Sequence, residues 1–523
     1  MTIVSTPLHS LNRRRMMIAS AATLGAGWSL PAFGQGAAPK KGGSFRLGMV
    51  GANTNDSHDP TTWGTSGLIN AGLWGAVYNN LTEVGPDGKL VPELAETITP
   101  SADAKSWTFK LRQGVTFHNG KTLDADDVVA SFNHHRGPDS KSAAKGIVDQ
   151  ITDIKADGKG SVVFTLAQGN ADFPYMCTDY HLVIGPAVNG KIDWEPAIGT
   201  GGYVFVTHER GISLTLKRNP NYWKAGRAHF DDVKILGIAD VAARMNALIT
   251  GAVDAVARVD IKTLNMLKRN PDIAINEVTG TQHFSIPMFT DTAPFDNKDV
   301  RLALKYAIDR EAIVNTILLG HGRPGLDSPI TPANRYFAAD LAPRPYDPEK
   351  AKFHLKQAGL ASLKVDLSAA DAAFNGAVDT ALLYREQALK AGIDINVVRE
   401  ADDGYWSNVW LKKPFVMCYW AGRPTEDWMF SQVYAAGADW NDTHWNDPRF
   451  NELLVQARAE LDEAKRAAMY REMQMLVSED GGAIIPAYAN FVDAMSTKIG
   501  HEAQMGSNFE LDGWKCIERW WMA

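Results

Sequence analysis

The chain has 523 residues, too many for one ordinary hydrophobic core, so two or more lobes are expected. A hydrophobic fraction of 45% and a charged fraction of 22% are those of a globular protein. The formal net charge of −7 argues against nucleic acid and anionic membrane surfaces as partners.

The first feature in chain order is a leader. Arg13-Arg14-Arg15 precede residues 16–30, an uncharged apolar run rich in Ala and Gly, and Pro31-Ala32-Phe33-Gly34 follow. A basic region, a short apolar run and a small-residue site make residues 1–34 a cleaved signal peptide. The run falls short of the ~20 residues needed to span a bilayer. The tripled arginine resembles a twin-arginine leader, which carries folded proteins across the bacterial inner membrane; an ordinary Sec leader is the alternative. Cleavage removes three arginines and no acid, taking the charge from −7 to −10. No cysteine lies near the cleavage site, so no lipid anchor is expected. Cys177, Cys418 and Cys516 are too few and too scattered for a disulfide framework, and no Cys-x-x-Cys is present. Three buried thiols are expected, with one bridge possible.

After the leader, residues 41–50 alternate as a first strand and lead into a polar loop over 51–60. Trp107, Phe109 and Leu111 alternate with polar residues as a half-buried strand. Val115 and Phe117 form a second short strand ahead of the tight-turn pair Asn119-Gly120. Asp124 and Asp127 then open a helix as a capping box. The glycines of residues 114–122 sit in hairpin turns, one residue off phosphate-loop spacing, so no nucleotide site is read there. Helices follow over 241–249, from 296 to 308, from 309 to 320 and from Pro348 to Gly359. Residues 447–477 carry the longest helix signal, with Phe450, Leu453, Leu454 and Ala457 on one stripe. Strands and helices mix throughout, which supports α/β lobes.

Residues 414–430, PFVMCYWAGRPTEDWMF, are where chemistry concentrates. Residues 415–420 read as a buried strand that breaks at Ala421-Gly422-Arg423-Pro424. Thr425 then caps a helix with Glu426 and Asp427 in its first turn. A strand ending in a Gly turn and a helix start suits the mouth of a cleft. Trp406, Trp410, Trp420, Trp428, Trp440 and Trp445 crowd this region; Trp420 and Trp440, beside turns, are the candidates for stacking on a ligand.

Five segments in order resemble one family, the large extracytoplasmic solute-binding proteins of ABC importers, peptide- and nickel-binding group. They are SWTFKLRQGVTFHNGKTLDADDVVASF (106–132), IGTGGYVF with LKRNPNYW (198–223), RMNALITGAVDA (244–255), APFDNKDVRLALKYAIDREAIV (293–314) and YDPEKAKFHLKQAG (346–359). The resemblance implies an α/β, two-lobed periplasmic-binding-protein fold of type II, in its large form with an extra inserted domain, closing about a hinge. Domain I would comprise residues 35–68, 195–282 and 490–523, inserted domain II 69–194, and domain III 283–489 with the ligand loop 420–428. The chain would cross between lobes near 282–287 and 484–491. A monomeric periplasmic receptor is implied, with no cofactor and no catalytic residue, handing a small solute to permease subunits and, through them, to ATPase subunits.

In peptide-binding members, the loop after the strand equivalent to 415–420 carries an aspartate for the ligand's α-amine. Arg423 stands there in this chain. That departure argues for an acidic group on the ligand, as in an opine-like conjugate or a modified peptide without a free α-amine. Glu426 or Asp427 would reach an amine only if the loop is rearranged; either would alternatively hold Arg423 outside the pocket. The expected ligand-binding set is Asn53, Trp63, Tyr419, Trp420, Ala421, Gly422, Arg423, Thr425, Glu426, Asp427 and Trp440, with Trp63 facing the others from domain I. A metal-chelate receptor is the alternative within the family, but His134-His135 would diverge on a helix, and no metal ligand is assigned. A hydrolase is disfavoured: there is no Gly-x-Ser-x-Gly, and neither His208-Glu209 nor His501-Glu502 is followed by a second histidine at metalloprotease spacing.

Overall fold

The computed structural model describes residues 39–63, 67–402, 404–423 and 425–523. The leader and its cleavage site lie outside the described residues.

Two long strands organise the molecule. Ile273–Pro287 and Ala483–Ser496 run antiparallel from the pair Ile273 and Ser496 to the pair Pro287 and Ala483. At one end, Val492, Ala494 and Met495 join cores built by Phe45, Leu47, Leu214, Met245 and Leu248. At the other, Phe284, Ile286 and Ala487 join a core with Leu304, Tyr384 and Ile395, while Ile485 and Tyr488 join one with Phe430 and Phe450. Separate cores at the two ends of one strand pair make two lobes bridged by backbone. The expected crossings at 282–287 and 484–491 fall within these strands.

Among the described residues the crossing strands belong to a nine-stranded sheet. On the first-lobe side it continues through Ala255–Val256, Ser44–Met49, Asp232–Gly237, Ser213–Arg218 and Tyr203–Glu209. On the second-lobe side Cys418–Trp420 forms its edge. A four-stranded antiparallel sheet, Ala95–Pro100, Ser106–Leu111, Ser161–Leu166 and Ile151–Ala156, carries its own core of Phe109, Phe132 and Phe164 beside the first lobe. Lys224 fastens it there: its ammonium meets Glu83 at 2.6 Å, Glu93 at 2.7 Å and Glu518 at 3.1 Å, all buried or nearly so. The second lobe adds a parallel pair, Leu363–Ala369 and Ile393–Arg399, around the helix Ala377–Leu389. This is the two-lobed α/β architecture expected.

Local signals translate well. Asp124 and Asp127 form the reciprocal capping box of Ala125–His134, and Pro348 sits in the first turn of Pro348–Gln357. The helix expected from 296 is capped one residue later, by Asn297. All three cysteines are buried, free thiols. Two expectations are corrected. The second strand around Val115 and Phe117 reduces to one bridge, Thr116 to Thr122, because the amide of Phe117 folds back onto the carbonyl of Lys121 around Gly120. The single helix over 447–477 is two, Pro448–Ala459 and Glu463–Glu479. Asp462 breaks it by accepting the amides of Ala464 and Lys465 and starting the chain afresh.

Candidate functional site

The strand Cys418–Trp420 lies opposite Ser285, Phe284 and His283 of the first crossing strand. It is shorter than the expected 415–420, since Phe415 and Val416 make only single bridges, to Met288 and Ser368. Alternation buries Cys418 and Trp420 and exposes Tyr419. The chain then turns at Gly422 against the crossing strand. A side chain there would overlap Thr281, so glycine is what lets the loop lie on that strand. Thr425 Oγ1 accepts the amide of Trp428 at 3.2 Å and caps Glu426–Met429 as expected.

That cap aims the two acids away from Arg423. Glu426 accepts the amide of Tyr336 at 2.7 Å, and burial pushes its carboxyl up to about 7. Asp427 pairs with Arg458 at 3.0 Å. The expected pairing of Arg423 with either acid is therefore not made. Instead Arg423 Nε donates to Gln432 Oε1 at 2.7 Å, and a terminal nitrogen donates to the carbonyls of Ala421 and Gly422 at 2.9 and 3.2 Å. Its guanidinium lies 5.7 Å from the Trp420 ring centroid. Among the described residues no carboxylate reaches it at ion-pair distance. Burial lowers its pKa, opposed by Tyr180, Asp179 and Tyr419. Tyr180 and Asp179 come from the first lobe, so Arg423 faces across the junction between lobes.

The first-lobe wall is tied to one predicted residue. Asp179 accepts from His181 Nδ1 at 2.6 Å, and His181 Nε2 bonds the carbonyl of Trp63 at 2.7 Å. The Trp63 ring itself is buried in the first-lobe core against Tyr78, its indole donating to Ser57. It supports the wall through its backbone. Asn53 is occupied with its own turn, donating from backbone and side chain to Asp56 at 2.9 and 3.2 Å. Beside the loop, a narrow crevice of ~20 Å³, room for about one water, is lined by Tyr175 and Asn508 from the first lobe, Arg335, Thr425 and Glu426 from the second, and Thr281 of the crossing strand.

The tryptophans divide. Trp428 packs against the core of the four-stranded domain, and Trp445 belongs to the second-lobe core. Trp406, Trp410, Trp420, Trp440 and Tyr419 form one continuous cluster, with ring centroids 5.7–6.0 Å apart from neighbour to neighbour. Trp406, Tyr419 and Trp440 are its exposed members, at 40%, 36% and 41%. Two residues that sequence reasoning missed sit beneath. Asp442, almost fully buried, accepts the indole N–H groups of Trp410 and Trp420, each at 3.2 Å. The only signal was an acid set among tryptophans in ADWNDTHW. His283, fully buried beside Trp420, has no partner for either ring nitrogen among the described residues; burial and nearby Arg423 push its pKa down to about 3. The site thus joins a half-buried cation to an aromatic cluster in which the indoles of Trp410 and Trp420 are held from below by Asp442.

Burial pushes Asp442 up to about 6, against the opposing hydrogen bonds from Trp410 and Trp420. A carboxyl raised in the folded state contributes most when protonated and loses that contribution as pH rises through the folded value. The stability of Asp442→Asn relative to the parent is expected to improve by roughly 2–3 kcal/mol between pH 4 and 7. Thermal unfolding of both proteins across that range checks it, and a constant difference contradicts it.

The pair His134-His135 diverges as expected: His134 meets Asp59 at 2.8 Å, and His135 meets Ser142 at 2.6 Å. Among the described residues no group of three or more His, Cys, Asp or Glu is placed to hold a metal.

The profile of bacterial extracellular solute-binding proteins, family 5 Middle, matches residues 89–442. The glutathione-binding protein GsiB of Pectobacterium atrosepticum is 25% identical over 438 residues, covering 81% of this chain and 85% of its own. AgaA from A. tumefaciens R10, solved with agropinic acid, superposes with a TM-score of 0.73 at 25% identity over 92% of this chain and 99% of its own. DppA from Helicobacter pylori, solved with the peptide STSA, shares the fold, with a TM-score of 0.74 at 23% identity, 92% of this chain and 99% of its own being covered.

Proposed function

We infer that this chain, which belongs to the family 5 bacterial extracellular solute-binding proteins, is the receptor of an ABC importer for a peptide-like or opine-like solute bearing an acidic group. The observation that carries the acidic group is Arg423, a half-buried guanidinium at the lobe junction with no carboxylate partner among the described residues. Its planar fork suits a carboxylate, and Trp440, Trp406 and Tyr419 offer a surface for the rest of the solute. The names of two relatives support this class, since glutathione and agropinic acid both carry carboxylates.

In this reading the solute binds between lobes that close about the two crossing strands, with domain I discontinuous, domain II inserted at 69–194 and domain III spanning 283–489. The receptor is a periplasmic monomer that passes its solute to permease subunits and catalyses no reaction itself. Calorimetry with glutathione, agropinic acid and the dipeptide Met-Leu tests the solute class. An acidic conjugate is expected to bind in the micromolar range, about 8 kcal/mol, and to be recovered unaltered. Tight binding of the plain dipeptide that N-acetylation abolishes, or steady turnover of a bound compound, overturns the reading.

The leader is read as a twin-arginine signal. Replacing Arg13, Arg14 and Arg15 together by lysine should leave precursor in the cytoplasm, followed by immunoblot of cell fractions. Normal export of that variant contradicts a twin-arginine route.

A further inference from the structure

Away from Arg423, a second set of contacts joins the lobes without using any solute. Asp172, in the segment after the strand Ser161–Leu166, is fully buried, and its carboxylate meets Arg466 at 2.6 Å and Arg335 at 3.1 Å. Both arginines belong to the second lobe. The amide of Ala171 donates to the carbonyl of Arg458 at 2.7 Å, and Arg335 lies 4.8 Å from the Tyr175 ring centroid. Trp428 crosses the same way into the core of the four-stranded domain. That domain is bolted to the first lobe by Lys224 and its three glutamates, so contacts it makes with the second lobe are contacts between lobes.

Arg335 and Arg466 both lie over the Tyr336 ring, at 4.3 and 5.4 Å, and share the Asp172 carboxylate between them, with the exposed Glu463 at 3.9 Å as a second, weaker partner of Arg335. A buried ion cluster is tolerated only when complete, because a missing partner leaves charge without water and without compensation. Rotation of the lobes apart would separate the Asp172 carboxylate from both guanidinium groups.

We propose that Asp172 is a latch, a positioning residue whose insertion between Arg335 and Arg466 populates the closed arrangement before any solute arrives. The latch rests on the solute-receptor reading and sets its regulation: capture waits on release of this contact, and the fraction of open receptor scales the apparent affinity.

Small-angle scattering on the mature chain tests this, with mass spectrometry to verify that dialysis has removed any retained solute. The parent is expected to scatter as the compact, closed particle with nothing added. Asp172→Asn is expected to shift the closed-to-open ratio about a hundredfold or more toward open, while far-UV circular dichroism stays native. Arg335→Gln removes one arm at a partly exposed residue and should open the lobes less; it carries the test if Asp172→Asn does not fold. A stripped parent that is already open, or folded variants as compact as the parent, overturns the latch. Neither result touches the solute reading, which fails instead when no acidic conjugate binds the parent.

Discussion

Lys224→Met is expected to lower folding stability by about 3–5 kcal/mol at pH 7.5. Burial alone would pull the lysine's pKa down, but Glu518, Glu83 and Glu93 outweigh it and hold the ammonium charged. The same cation, with Arg519, keeps Glu83 well below the usual carboxylate range against its burial. Glu93 is raised by burial even with Lys224 in place. Removing the lysine therefore strands carboxylates in a dry site, with Arg519 reaching only Glu83 among the three. The pKa of Glu93, already raised by burial, then rises further above the unfolded range, opposed by Lys515. For such acids stability falls as pH rises through the raised values, so the defect should shrink as pH is lowered toward 5. Chemical unfolding at pH 7.5 and pH 5 measures both. A loss under 1 kcal/mol, or one indifferent to pH, would show that the cluster is not what fastens the four-stranded domain.

Arg423→Ala should weaken binding of an acidic conjugate by about 2–5 kcal/mol, from 30-fold to several thousandfold. The range is that of truncating one partner of a desolvated charge pair. Folding stability should barely move, because Arg423 supports Gln432 and two carbonyls but no buried acid. Arg423→Lys keeps the charge and loses the fork, so it should fall between. Arg423→Asp places a negative charge against the solute's acid and should bind less than Arg423→Ala. Calorimetry with glutathione or agropinic acid, whichever the parent binds, gives the order. Unchanged affinity in Arg423→Ala would remove this residue from the pocket and with it the argument for an acidic solute.

Much of the fold follows from signals within a few residues of each other. The Asp124–Asp127 capping box, Pro348 in a first turn and Thr425 at a helix start are local hydrogen-bond and φ preferences, and they survive folding because nothing distant has to cooperate. The five segments that carry the family resemblance likewise lie along the chain in plain order. The site is different, because its partners are far apart in sequence. Arg423 and Glu426 stand three residues apart, which looks like an ion pair, yet the Thr425 cap turns Glu426 toward Tyr336 and leaves Arg423 facing Tyr180 of the other lobe. Nothing local joins Asp442 to Trp410, or Asp172 to Arg466. Those meetings exist because two long strands carry the chain between lobes and bring distant surfaces together. The sequence alone determined where helices and turns begin and which family the chain resembles. Which charges are paired and which are left open was decided by tertiary structure, because side-chain direction and desolvation depend on everything packed around a residue, not on its neighbours along the chain.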